Sequence, residues 1–320
     1  MNMFLLMMPL LLIVLIGYGS ARFSFLPEVS NAHFTRFAFF IAIPCQLFFD
    51  FAKMPVSQSI HIPYIVDFAL CVLITGSIVF IVSKYGFKKS LSESILNIMG
   101  SSMVNTAYFA IPLFLLVFNN PAPVLPILIF QAVILTAIIL LTIEYDLKEQ
   151  GAQKRVHYMQ LLKNIAFIAV KNPVIIACIA GVGFSFFNWH VPIVINHFLK
   201  LIGATAAPLV LFALGQSLFF DVRKMMGKEV IEVLFLVFIK LLILPALAFF
   251  VGKYAIPLNH FWFASLIIMT AMPSPKNMFI FAVRYQLDVK KASAVIALST
   301  LLSFITLDVL LILFHAYIQI

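Results

Sequence analysis

The sequence predicts an all-α membrane protein: ten transmembrane helices in two inverted five-helix repeats, with broken crossover helices 4 and 9. Three observations lead there. The chain has too little charge for a water-facing surface, its Lys and Arg alternate from one connection to the next, and proline-interrupted segments recur at matching places in the two halves. Of 320 residues, 63% are hydrophobic and 10% charged, and mean hydropathy is +1.11. A soluble domain carries roughly 25% charged residues. A spanning helix takes about 20 apolar residues, so the length holds about ten spans and no sizeable soluble domain.

The segments follow in order. The run 4–21 has no Lys or Arg ahead of it and ends on Arg22, the wrong polarity for a cleaved signal. It reads as a first helix with its N-terminus outside. The next four are 34–52, 62–83, 92–118 and 122–143; after the central connection come 164–187, 192–220, 230–252, 260–283 and 291–318. Sixteen Lys and Arg fall in odd-numbered connections and only Lys53, Lys200 and Lys253 in even ones, with Lys240 and Lys276 left inside helices. Positive charge is retained on the cytoplasmic side, so odd connections are cytoplasmic and both termini outside, in a multi-pass protein of the cell (cytoplasmic or inner) membrane. That placement makes the net charge of +9 a matter of topology rather than of nucleic-acid binding.

Residues 1–143 form the first repeat, 144–163 a charged cytoplasmic loop, and 164–320 the second repeat. Because five spans is an odd number, the second set enters the bilayer inverted. Pro44-Cys45-Gln46-Leu47-Phe48 is echoed by Pro208-Leu209-Val210-Leu211-Phe212, and Asn105 to Ile111 by Asn277 to Val283, in the same order in each half.

Spans 4 and 9 are where a helix is least comfortable. Pro273 and Pro275 lack N–H groups and clash with the preceding turn, and Ser274, Lys276 and Asn277 crowd the same place. In span 4, Asn105 and Thr106 precede Pro112, which frees the Tyr108 carbonyl. Unwound backbone at membrane depth needs protein or a water-filled cavity around it. Two such breaks meeting near the midplane make a binding site for an anion, with helix N-termini contributing donors. The substrate-binding candidates are therefore Asn105, Thr106, Pro273, Ser274, Pro275, Lys276 and Asn277. Lys276 either pairs with a substrate carboxylate, stands in for a coupling cation, or tethers carbonyls at the break. Lys240, Asp308, Gln131 and Gln46 are candidates for coupling or support, against the blander reading of ion pairs, interfacial acids and interhelical hydrogen bonds. Asp50 and Asp67 lie near span ends and read as interfacial.

No HExxH, GxSxG or Walker glycine loop is present, nor an intramembrane aspartate pair poised for hydrolysis, so an enzyme is not expected. Cys45, Cys71 and Cys178 lie in apolar runs without metal-ligand spacing, and no cofactor or metal is expected. An anion channel or a non-transporting membrane sensor of the same fold are the alternatives to a carrier. No acidic cluster suggests a sodium cage, so protons or the membrane potential are the expected drive.

The chain resembles the auxin efflux carrier family, with its bacterial members and the PIN proteins of plants. The likeness rests on Gly17-Tyr18 with Leu26-Pro27-Glu28; Ile43-Pro44 with Leu47-Phe48; Asn105 to Pro112; Gln131; Lys171-Asn172-Pro173; Ala207-Pro208 through Leu218; Lys240 with Pro245; Met272 to Asn277; and Ser299 to Ser303. The resemblance implies a scaffold of helices 1, 2, 6 and 7, a transport domain of helices 3–5 and 8–10, and elevator-like movement. It also implies a substrate among the dicarboxylates or aromatic carboxylates, and Asn105 and Asn277 as the crossover asparagines. A homodimer is compatible with it. The chain departs from the family pattern at Ser274-Pro275-Lys276, where small residues usually precede the asparagine.

Overall fold

The computed structural model describes residues 3–55, 61–149, 163, 167, 170–222 and 229–314, and every regular element among them is helical. Seven helices are long and apolar enough to cross a membrane: Val29–Phe51, Ile62–Gly86, Leu91–Val117, Val124–Glu149, Ile193–Phe220, Val230–Tyr254 and Val289–Leu313. Three further apolar helices, Met8–Arg22, Pro173–Phe186 and His260–Thr270, are shorter. Each of the ten expected segments overlaps one of these. The expected central loop is still helical up to Glu149. Its stretch 150–162 lies outside the described residues, as do Lys154, Arg155, Arg223, Lys224 and Lys228 of the charge pattern.

In chain order the helices are α1 (Met3–Arg22), α2 (Glu28–Phe37), α3 (Ile43–Phe51), α4 (Ile62–Ile81), α5 (Leu91–Ser102), α6 (Ile111–Val117), α7 (Val124–Phe130) and α8 (Thr136–Glu149). The second half continues with α9 (Pro173–Phe186), α10 (Ile193–Gly203), α11 (Ala206–Val222), α12 (Val230–Phe238), α13 (Leu244–Tyr254), α14 (His260–Thr270), α15 (Asn277–Arg284) and α16 (Val289–Leu313). Local chemistry sets many of the starts. Ser90 and Glu93 form a reciprocal capping box on α5. Asn172, Asn259 and Asp288 cap α9, α14 and α16 with their side chains.

Single π-helical turns interrupt the long rods, and three of them, Ala38–Ala42, Thr106–Ala110 and Ile239–Ile243, run directly into Pro44, Pro112 and Pro245. A proline donates no bond and presses on the carbonyl four residues back. Widening the preceding turn by one residue relieves that pressure. The N–H just before each proline then reaches back five residues: Ile43 to Ala38, Ile111 to Thr106, Leu244 to Ile239. The interruption at these prolines thus takes the form of a π turn, a feature common at functional sites.

Glycines decide the closest helix approaches. Gly17 of α1 lies on the Phe212 backbone and Gly215 of α11 on the Val14 carbonyl, so tightly that any Cβ would overlap main chain. A Cβ on Gly181 of α9 would stand 2.9 Å from the Phe48 carbonyl oxygen of α3, and one on Gly203 of α10 would strike Gln46. Small residues let membrane helices approach until their backbones touch. These contacts join α1 to α11 and α3 to α9 and α10. The remaining helices pack largely among themselves: α4 on α5 and α13, α5 on α8, and α12 and α15 on α16. Large apolar side chains such as Leu73, Leu201, Ile231 and Ile305 point outward on both groups, a surface suited to lipid rather than water.

Candidate functional site

The two interrupted segments touch at their breaks. The chain leaves α5 at Ser102, runs extended through Met103, and resumes helical geometry at Thr106. The other segment leaves helix at Thr270 and resumes at Asn277. Between them the Asn105 N–H donates to the Pro273 carbonyl at 3.0 Å, and Ser274 Oγ donates to the Gly100 carbonyl at 2.6 Å. Gly100 makes room for Met278, whose sulfur would stand 2.7 Å from a Cβ there.

Neighbouring helices satisfy the freed backbone, as a lipid environment demands. Gln131 clamps Val104 from both sides: Val104 N–H donates to Oε1 at 2.7 Å, and Nε2 donates to the Val104 carbonyl at 3.3 Å. Ser274 N–H donates to Ser299 Oγ at 3.1 Å. The buried Lys240 ammonium donates to the Thr270 carbonyl at 3.1 Å. Lys240 and Gln131 thus hold the breaks, one on each.

Beside the crossing is a cavity of about 280 Å³, lined by Asn105, Thr106, Ala107, Tyr108, Gln131, Pro275, Lys276 and Asn277 from the two broken segments and α7–α8, and by Thr35, Arg36 and Asn172 from α2 and the start of α9. A second cavity of about 400 Å³ adjoins it, reaching Asn31, Ser217 and Ser293 and sharing Thr35, Tyr108 and Lys276 with the first. Among the described residues no Asp or Glu lines either cavity. Lys276 stands between them. Its Nζ donates to Ser217 Oγ of α11 at 2.7 Å and lies 4.7 Å from the centre of the Tyr108 ring. Asn105 is 3% exposed; its Oδ1 accepts from the Tyr108 N–H at 3.2 Å, while its Nδ2 is buried with no hydrogen-bond partner. Both cavities lie on the side of the odd-numbered connections. Phe109, Met272 and Phe304 are buried and line neither cavity, and the Phe109 and Phe304 rings are 5.3 Å apart.

Some N–H groups at the helix starts are used within the breaks themselves. Met278 and Phe279 donate their N–H groups back to the Pro275 and Lys276 carbonyls, and Thr106 donates to the Val104 carbonyl. Lys276, Arg36 and Asn105 bring side-chain donors to the cavity wall. Pro273, Ser274 and Pro275 are buried and shape the crossing, whereas Asn277 is exposed and Thr106 half-buried. Gln46 and Asp308 line neither cavity. Gln46 donates to Asp50 at 2.9 Å, and Asp308 is half-buried in α16. Asp67 is fully buried in α4, and neither carboxylate oxygen has a hydrogen-bond partner. Hydropathy places it near a span end but does not show that its side chain is covered by protein.

Sequence reasoning also missed a buried ion cluster on the odd-connection side. Lys89 pairs with Glu229 and, at 3.2 Å, with Glu232. Lys291, its side chain fully buried, reaches Glu232 at 2.8 Å and Glu229 at 3.8 Å. Asn97 donates to Glu232 at 2.7 Å. A cation in the first turn of α16 opposes the helix dipole, and the carboxylates of α12 offset that. Burial works against the Lys89 charge, but its hydrogen bond to Glu229 and the charge of Glu232 outweigh it and hold the amine up at about 12. These lysines read as topology markers in sequence; only the packing of α5, α12 and α16 brings them together. Arg36, Tyr108 and Ser217 were likewise invisible as site residues, because nothing local says which way their helix faces turn.

A bundle of apolar helices with two broken segments meeting beside an interior cavity defines a multi-pass membrane transport protein. The family model described as "Membrane transport protein" matches residues 3–311, and the chain belongs to that family, the auxin efflux carrier family. A protein of Rhizobium meliloti (strain 1021) named "Putative malonate transporter" is 23% identical over 310 residues, covering 96% of this chain and 94% of that relative. An uncharacterized transporter of Methanocaldococcus jannaschii is 24% identical over 304 residues, covering 93% of this chain and 94% of the relative.

Proposed function

We propose that this protein is a secondary transporter that moves a small organic anion, a carboxylate, across the cell membrane by alternating access. The observation that carries the reading is the cavity at the crossing, which gathers Lys276, Arg36 and the unpartnered Asn105 amide and has no carboxylate on its described walls. Such a site favours an anion that brings its own acceptor oxygens. Its volume of about 280 Å³ falls at the small end of ligand pockets, which run roughly 300–1,000 Å³, and suits a short carboxylate better than a large aromatic one. The name of the Rhizobium meliloti relative makes malonate the first candidate.

The ten apolar segments, the two sequence echoes and the contact of both breaks support an arrangement of two inverted repeats. The glycine-packed group containing α1, α3, α9, α10 and α11 serves as scaffold, and the group around the crossing moves. Cavities lined by residues near the odd-numbered connections, such as Arg36, Asn172, Ser217 and Ser293, together with the buried Phe109 and Phe304, support reading this as an inward-facing carrier rather than a continuous pore. In the moving group, Gln131, Ser299 and Lys240 keep the breaks intact, while Lys276 exchanges its Ser217 partner for a substrate carboxylate.

The test is a binding screen of small carboxylic acids on purified protein, followed by uptake and counterflow in liposomes. A charge-assisted hydrogen bond contributes about 1.5–3 kcal/mol, so Lys276→Ala is expected to weaken a carboxylate by roughly 10- to 100-fold without loss of fold, and uptake is expected to saturate and show counterflow. Unchanged affinity across the candidate anions, or non-saturating flux, refutes the reading.

A further inference from the structure

The cavity holds a second cation that the crossing does not supply. Arg36 sits in the last turn of α2, directly before the π turn that leads into Pro44. It lines the same cavity as Asn105 and Lys276, yet belongs to a different packing group. Among the described residues it makes no ion pair or hydrogen bond, and it is an exposed residue on the cavity wall, so no protein group competes for its guanidinium. A lysine offers a compact point charge, whereas a guanidinium is a planar fork that matches a carboxylate with two parallel bonds. A cavity this small, with two unlike cations, an amide donor lacking a partner and no acidic residue among its described walls, is over-equipped for one carboxylate.

Resting on the anion-carrier reading above, we infer that Arg36 is the residue that makes the site select dicarboxylates over monocarboxylates. One carboxylate lies on Lys276 and the Asn105 amide, and the other on the Arg36 guanidinium. The dianion thereby spans the moving group and the scaffold, while a monocarboxylate engages the crossing alone. Arg36 has no part in holding either break, so its removal leaves the first subsite standing.

The experiment is titration calorimetry on the full-length protein in detergent, with malonate and its monomethyl ester as paired ligands of like size that differ by one charge. The proteins are the wild type, Arg36→Gln, Arg36→Lys, Lys276→Gln and Arg22→Gln, the last removing an exposed cation of the same connection outside the cavity. The wild type is expected to prefer malonate at least tenfold. Arg36→Gln is expected to abolish that preference by weakening malonate while leaving the ester within twofold. Arg36→Lys falls between, Lys276→Gln weakens both ligands, and Arg22→Gln changes neither. Equal loss of both ligands in Arg36→Gln, no loss of either, or an equal effect from Arg22→Gln overturns the assignment and leaves the anion reading in place. A wild type that binds no carboxylate at all overturns that reading and this assignment with it.

Discussion

Replacing Gln131 with leucine tests how the first break is held. The side chain spans one residue of unwound backbone, taking the Val104 N–H at 2.7 Å and giving Nε2 to the Val104 carbonyl at 3.3 Å. Val104 is 2% and Gln131 4% exposed, so the leucine leaves the Val104 N–H largely buried and without its protein partner. A buried donor left without a partner costs about 1–3 kcal/mol. The longer bond to the carbonyl adds little, and interhelical hydrogen bonds in membranes average only about 0.6 kcal/mol, reaching roughly 1.7. A net loss of about 1–2 kcal/mol follows. At about 2–4 °C per kcal/mol for a chain of this order, Gln131→Leu lowers the apparent Tm by about 2–8 °C. A thiol-reactive dye reads the transition, because Cys71 and Cys178 are free and buried until the bundle opens. Gln216→Leu is the matched control. That side chain makes one 3.2 Å bond to Ser20 Oγ, its Oε1 is already buried and unpartnered, and Ser20 keeps its own bond to the Gly17 carbonyl. Removing it is close to neutral or stabilising. A Gln131→Leu shift no larger than that of Gln216→Leu refutes the view that Gln131 holds the break.

Two further predictions use the same assay. Lys291→Met removes one partner from a buried ion cluster, for which about 3–5 kcal/mol is lost, and the double variant with Glu232→Leu loses less than the single; a single variant with unchanged Tm contradicts the buried pairing. Gly17→Ala and Gly183→Ala make the same chemical change with opposite outcomes. The first forces a methyl group onto the Phe212 backbone, an overpacking cost of about 1–3 kcal/mol. The second meets nothing within 4 Å and gains about 0.5–1 kcal/mol of helix preference. Equal shifts of one sign refute the close contact between α1 and α11.

The sequence by itself determined the solvent of this protein, the number and order of its apolar segments, and the places where two of them fail as helices. These are local properties: hydropathy over about 20 residues, and the missing N–H of Pro112, Pro273 and Pro275. They survive without knowledge of any neighbour. The residues at the crossing, Asn105 and Pro273 to Asn277, were legible for the same reason. Tertiary structure decided the roles of residues that look alike in the chain. Gln131 clamps a break, while Gln46 turns to Asp50 and Gln216 to Ser20. Lys240 is consumed by the Thr270 carbonyl, while Lys276 stands between two cavities. Arg36 and Lys291 count equally as positive charge near a span end, yet one lines the cavity and the other is fully buried beside Glu232. Which way a side chain faces depends on the rotation of its helix about its own axis. In a membrane that rotation is set by packing between helices, through contacts such as Gly17 on Phe212 and Gly181 on Phe48, and no property of a single segment encodes it.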